Sequence, residues 1–174
     1  LPDVFGYSGA LPQILKKSGI RYFMTQKLSW NEHDSFPHHT FYWEGIDGSR
    51  VLTHMLPEET YNGPALPHSI KIVEKNFHEK GLSQDALMLF GIGDGGGGPG
   101  AYHLERLDRI KNMAEFSPVR QRFARDFFRE IDRPDVEYPA WKGELYLENH
   151  RGTYTTQAQN KRYNRKIEYA LRQL

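Results

Sequence analysis

Residues 86–100 read ALMLFGIGDGGGGPG, and no other stretch constrains this chain so tightly. Leu87, Met88, Leu89 and Phe90, then Ile92, make an apolar run of the kind found in strands covered on both faces. The run feeds into Gly93-Asp94-Gly95-Gly96-Gly97-Gly98-Pro99-Gly100, and a helical pattern opens at Ala101. One carboxylate therefore stands at the carboxyl end of a buried strand, in a loop almost free of side chains. Glycine loses the most backbone freedom on folding, so four in a row imply positive φ or a ligand that must approach the backbone closely. Ligands of α/β folds gather outside the carboxyl ends of the strands. Asp94 is accordingly expected to do chemistry, with the glycines clearing room for a bulky polar substrate.

Two other readings compete for this stretch. Residues 93–98 match G-x-G-x-x-G between a strand and a helix, the pattern of a phosphate-binding turn. Asp94, however, puts negative charge where a pyrophosphate needs N–H donors, and Pro99 removes a donor near the helix start. No Lys-Ser/Thr pair follows. The other reading is a plain left-handed connection without function.

Strand and helix patterns alternate along the rest of the chain, which argues for α/β with a mainly parallel sheet. A helix is expected over residues 9–18, with Leu11, Ile14 and Leu15 on one face and Gly19 as its stop. A strand over 20–25 leads into a loop at 26–39. Residues 40–44 and 50–56 alternate as a hairpin around Asp47-Gly48. An irregular Pro- and Gly-bearing loop at 57–67 holds Glu58, Glu59 and Tyr61. Ile70, Val73 and Phe77 mark a helix closed by Gly81, and Leu104, Leu107 and Ile110 mark another. Ser117-Pro118 reads as an N-cap followed by Pro, opening a helix with Val119, Phe123, Phe127 and Ile131 on its face. After a Pro-rich linker at 132–140, residues 141–148 alternate as a strand, 149–156 form a polar loop and 157–174 a charged helix. The stripe of that helix, Tyr163, Ile167, Ala170, Leu171 and Leu174, suggests the first member of a larger bundle.

At 174 residues and 38% apolar, the chain can bury one ordinary core. With 23 basic and 22 acidic side chains, nothing points to nucleic acid or an anionic membrane. No apolar run approaches the roughly 20 residues that span a bilayer. The absence of Cys excludes disulfides and Cys-bound zinc, and fits a reducing compartment. The first residue is Leu and no signal-like segment follows, as in a piece of a longer chain.

Asp3 and Asp94 are the carboxylates best placed for paired work. Two carboxyl groups about 5–5.5 Å apart across a sugar can divide into nucleophile and general acid. An Asp capping a loop is the bland alternative for each. His33-Asp34 and His38-His39 lack a ligand pair fixed on one element and read as solvated loop residues. His150, before Arg151-Gly152-Thr153-Tyr154, follows a strand end and is either a surface residue or a substrate contact. Trp43 and Trp141 read as core, and Trp30 lies in a loop.

Six blocks occur in one order: Pro2-Asp3-Val4-Phe5-Gly6-Tyr7-Ser8, Lys27-Leu28-Ser29-Trp30-Asn31, Phe36-Pro37-His38-His39-Thr40-Phe41, Gly48-Ser49-Arg50-Val51, Gly93-Asp94-Gly95-Gly96-Gly97-Gly98-Pro99 and Gly152-Thr153-Tyr154-Thr155-Thr156. Together they closely resemble the glycoside hydrolase family 38 α-mannosidases, in the cytosolic and bacterial branch. The resemblance implies part of a distorted (β/α) barrel-like catalytic domain over residues 1–150, followed from 151 to 174 by the start of a helical bundle. It implies retaining, exo-acting hydrolysis of α-mannosides in oligosaccharides, with zinc (or another divalent metal such as cobalt) at the sugar, and a cytoplasmic location. Asp3 matches the family's nucleophile and zinc ligand, and Asp94 falls at the acid/base block. Many relatives carry Gly-Asp-Asp there, where this chain has Gly-Asp-Gly. Phe5 aligns with an aromatic beside the sugar, Tyr61 with a pocket tyrosine, and His150 with a position that is Trp in other branches. The family's remaining zinc ligands belong to blocks upstream of Asp3 and downstream in the bundle, so these 174 residues alone are expected to be inactive. The full-length enzyme is open to oligomerisation, and neither nucleic acid nor membrane is an expected partner. The alternatives are an α/β enzyme with a phosphorylated cofactor at 93–98 and a non-catalytic sugar-binding module.

Overall fold

A computed structural model describes residues 1–150 and 156–173. Strands β1 (Tyr22–Thr25), β2 (Thr40–Glu44), β3 (Arg50–Met55) and β4 (Ala140–Lys142) form one sheet in the order β1-β3-β2-β4. Helices α1 (Leu11–Lys17), α2 (Pro67–Asn76), α3 (Ala101–Ile110), α4 (Ala124–Ile131) and α5 (Ala158–Leu171) complete the elements, with a 3-10 turn at Lys27–Trp30.

The turn between β2 and β3 follows from its chemistry. Gly48 takes φ +80°, which only Gly adopts freely, and the Ser49 amide donates to Asp47 Oδ1 at 2.9 Å. That turn folds β2 back antiparallel on β3, with Thr40 opposite His54 and Glu44 opposite Arg50. β1 pairs with β3, and β4 with β2, in parallel. Two of the three pairings are thus parallel, and the sheet is mixed, because the tight hairpin sits at its centre.

Both faces of the sheet are covered. Tyr7, Phe23, Phe41, Trp43, Val51 and Met55 pack on one side together with Leu15 of α1. Leu52, Phe127, Phe128, Ile131 and Tyr138 pack on the other, which seats α4. A third cluster, Ala65, Ile70, Leu107 and Ile110, joins α2 to α3. β3 is an inner strand, and Val51 to Met55 are all buried, so it is the strand covered on both faces expected at 87–92, although Thr53 and His54 interrupt its apolar residues.

That run is the main correction. Residues 87–92 form no ladder; their pairings are the single bridges Gly63↔Phe90 and Ile92↔Gly98, and Gly91 between them takes φ +118°. The neighbouring segment, 57–67, carries Pro57, Pro64 and Pro67, which lack the N–H groups a ladder needs, so pairing is confined to Gly63. The helix expected from Ser117 begins only at Ala124. The Ser117 amide donates to Glu74 Oε1 at 2.8 Å instead of opening a helix, and Phe123, expected on the buried face, is 76% exposed. Ile14, placed on the inner face of α1, is likewise exposed. The 141–148 strand stops at Lys142, where Gly143 takes φ +103°, and resumes as one bridge between Leu145 and Tyr7. α5 forms as expected but buries no residue. Gly152-Thr153-Tyr154-Thr155 and Leu174 lie outside the described residues. No helix among those described is long and apolar enough to cross a membrane.

Candidate active site

Parallel pairing of β1 with β3 brings their carboxyl ends to one edge, and the candidate residues arrive there from the segments beyond. Residues 1–7 are tied to the end of β1: the Leu1 amino group donates to Met24 O at 3.1 Å, and the Tyr7 hydroxyl meets Thr25 Oγ1 at 2.7 Å. Reciprocal bonds between Tyr7 and Leu145 pin the other end of the segment. Asp3 is held between these anchors. The chain leaving β1 turns at once into the 3-10 turn, which delivers Lys27.

Lys27 is almost wholly buried, and its ammonium lies 2.9 Å from Asp3 Oδ1. Its nitrogen sits 3.3 Å from the centroid of the Trp30 ring and 5.3 Å from those of Phe5 and Tyr61. A desolvated cation among three aromatic faces is stabilised by their quadrupoles, but it needs an anion, and Asp3 is that anion. The Lys27 ammonium holds the Asp3 carboxyl below the usual carboxylate range; partial desolvation opposes this and the Tyr61 hydroxyl adds to it. Asp3 is therefore ionised, with part of its surface open to solvent.

Tyr61 comes from the loop after β3, and its hydroxyl donates to Asp94 Oδ1 at 2.5 Å. The same hydroxyl stands near enough to Asp3 to lower the Asp3 pKa. Asp94 first, then desolvation and Asp3, push the Tyr61 phenol up, so it stays protonated and remains a donor. Asn62 supplies a second donor, Nδ2 to Asp94 Oδ2 at 3.2 Å.

The glycines explain how this is possible. A Cβ on Gly93 would strike Asn62 Oδ1 and come within 2.5 Å of Tyr61 Cε2. The loop then closes on itself through mutual bonds between Ile92 and Gly98, and Asp94 holds φ +52° within it. A non-glycine residue in this region is strained, and such strain concentrates at functional positions. The loop thus presents a carboxylate where the phosphate-turn reading needed free amides.

Phe5 and Trp30, two of the rings around Lys27, continue into an aromatic wall with His150. His150 stands edge-on to Phe5 at 5.0 Å between centroids and lies 6.3 Å from Trp30. Its placement depends on Glu148, whose carboxylate accepts the backbone amides of Glu32, His33 and Asp34. Asn31 reinforces this from both sides, donating to Tyr146 O and accepting from the Glu148 amide. His33-Asp34 therefore serve through their backbone. His38 pairs with Glu79, and His39 is buried. All five predicted site residues, Asp3, Phe5, Tyr61, Asp94 and His150, thus lie around one edge of the sheet, linked through Lys27 and its rings.

The family profile described as the N-terminal domain of the glycosyl hydrolases family 38 matches residues 1–144. The chain belongs to this family. It is 47% identical over 171 residues to alpha-mannosidase 2C1 of Homo sapiens, matching 98% of this chain and 16% of that protein. It is 46% identical to alpha-mannosidase G of Dictyostelium discoideum over 98% of this chain and 16% of that protein. Against the alpha-mannosidase of Saccharomyces cerevisiae it is 44% identical over 184 aligned positions, covering 100% of this chain and 17% of that one. The chain thus spans about a sixth of the length of these curated relatives. The crystal structure of an alpha-mannosidase from Enterococcus faecalis V583 shares the fold, with a TM-score of 0.59 at 17% identity over 83% of this chain and 17% of that one.

Two residues of this candidate site carried no role in the sequence: Lys27 and Asn62. Lys27 lay inside the quoted Lys27-Leu28-Ser29-Trp30-Asn31 block, and a lysine directly after a strand's carboxyl end, among aromatics, was the signal for it. Nothing local marked Asn62. As to metal, no group of three or more His, Cys, Asp or Glu among the described residues could hold an ion. Asp3 is a single carboxylate already paired with Lys27, and zinc takes four ligands. The residues present do not by themselves make a zinc site.

Proposed function

We infer that this chain contributes the acid/base loop and the nucleophile segment of a retaining, exo-acting α-mannosidase. The observation that carries the reading is Tyr61, whose hydroxyl donates to Asp94 while its ring flanks the Lys27 ammonium paired with Asp3, so both carboxylates border one patch as a pair acting on one sugar ring requires. Asp3, ionised beside Lys27, suits attack on the anomeric carbon to give a glycosyl-enzyme ester. Asp94, in its protonated form, gives its proton to the departing glycosidic oxygen as the C1–O bond breaks; as a carboxylate it then takes a proton from the water that hydrolyses the ester. Phe5, Trp30 and His150 supply ring faces for the sugar. The relatives' names support α-mannosides as the substrate. Zinc, or another divalent cation such as cobalt, belongs to the proposal as a group to which Asp3 gives one oxygen, the other ligands coming from outside these residues. So do a cytoplasmic setting, a barrel-like catalytic domain over 1–150 and a helical bundle opening at 151.

In the full-length protein, Asp3→Ala is expected to lower kcat by several orders of magnitude. Asp94→Ala is expected to fall far more on a mannosyl disaccharide than on an aryl mannoside, whose leaving group needs no proton. NMR of the first product should show the α-anomer. Near-normal turnover by Asp3→Ala, or a β-anomer first, overturns the assignment. The isolated 174-residue chain should release no mannose with or without added zinc, and measurable turnover by it contradicts the incomplete donor set.

A further inference from the structure

The two oxygens of Asp94 face different partners, and the difference divides the space around it. Oδ1 accepts from Tyr61, which also reaches Asp3, so that side belongs to the sugar under attack. Oδ2 accepts from Asn62, and both Asn62 and Asp94 line a cavity of about 300 Å³ that Asp3 does not line. A general acid protonates the oxygen that joins the two sugars, so the second sugar has to lie against Asp94 on the side not taken by the first.

The remaining walls suit a sugar. Tyr102, at the start of α3, exposes nearly half its surface and is backed by the buried His103 ring, 3.9 Å away between centroids. His103 is itself fixed, its Nδ1 accepting the Gly100 amide at 3.1 Å. One turn on, the Arg106 guanidinium carbon lies 4.9 Å from the Tyr102 centroid, and its Nη1 donates to Pro64 O at 3.3 Å. That bond uses one of five donor N–H groups and leaves the others for hydroxyls. An aromatic face for the C–H side of a pyranose thus sits beside fixed polar donors. The volume is at the low end of the ~300–1,000 Å³ of small-molecule sites, which fits one ring rather than an extended chain.

We propose that this cavity seats the leaving-group sugar, with Tyr102 as its stacking floor and Arg106 as its hydroxyl donor, both as specificity-determining residues. The inference rests on the mannosidase reading.

The test uses the full-length enzyme and two substrates, an α-mannosyl disaccharide and α-mannosyl fluoride, whose leaving group is too small to enter the cavity. The readout is the ratio of the two kcat/KM values on one preparation, which does not depend on the fraction of protein folded. Tyr102→Ala and Arg106→Ala should each lower that ratio about tenfold or more. Tyr102→Phe, which keeps the ring, should restore it to within about twofold of wild type. A ratio unchanged in both alanine variants, or equally low in Tyr102→Phe, overturns the cavity assignment while leaving the mannosidase reading standing. A wild-type enzyme that cleaves neither substrate overturns both.

Discussion

Lys27 shows how a single side chain can set the working range of a site. Its ammonium is the first cause of the lowered Asp3 pKa, so Lys27→Met returns that carboxyl toward its ordinary value. A nucleophile must be ionised to attack, and the acidic limb of kcat/KM should therefore move to higher pH in that variant. A limb that stays in place while kcat falls shows that Lys27 acts on something other than Asp3. His54 acts on stability instead. Its Nε2 accepts the Leu87 amide, which puts its proton on Nδ1, where it donates to Thr40 Oγ1. A second proton has nowhere to go, and burial holds the ring down to about 3; burial and the neighbouring His78 and His38 hold His39 at about 4. Both are depressed from about 6.5, so between those values the unfolded chain binds protons that the folded chain does not. Stability should be fully present above about pH 6.5 and fall as pH drops toward 4 and 3, with a slope of at most about 1.4 kcal/mol per pH unit for each ring. Urea midpoints at pH 7 and pH 5 measure this, and a flat profile excludes both rings as its source.

At the scale of elements, the glycine loop separates into positions that need glycine and positions that tolerate change. Gly93→Ala pushes a methyl group into Asn62 and the Tyr61 ring, the two side chains that donate to Asp94. Gly95 has no atom within 4 Å of a built Cβ. In the full-length enzyme Gly93→Ala should cost about a hundredfold in kcat, the scale of a roughly 1 Å misplacement, and Gly95→Ala should stay within about twofold. Equal losses contradict the steric account. The hairpin, the Gly19 stop and the charge-rich last helix were legible because each depends on local chemistry: Asp47-Gly48, a left-handed glycine, and a continuous helical pattern. The 87–92 ladder was not, because apolar residues specify burial but the partner strand decides pairing, and the adjoining segment is rich in Pro. Ser117-Pro118 misled for a similar reason: the Ser117 amide is taken by Glu74, forty-three residues away. Asp3 and Asp94 were singled out from the quoted blocks, whereas the Tyr61 hydroxyl on Asp94 and the Lys27 ammonium on Asp3 are tertiary facts.

Over the whole molecule, the site is assembled from five separated segments, and none of them carries it alone: 1–7, 26–34, 61–62, 93–94 and 146–150. α5 contributes nothing to it in the described residues, exposing Tyr163, Ile167, Tyr169 and Leu171. What joins the first segments to the last is Glu148, with three consecutive amides gathered on one carboxylate. Mechanically, that makes the stretches on either side a single lever. Truncating Glu148 to Ala would therefore release both strips at once, the one that carries Trp30 and the one that carries His150.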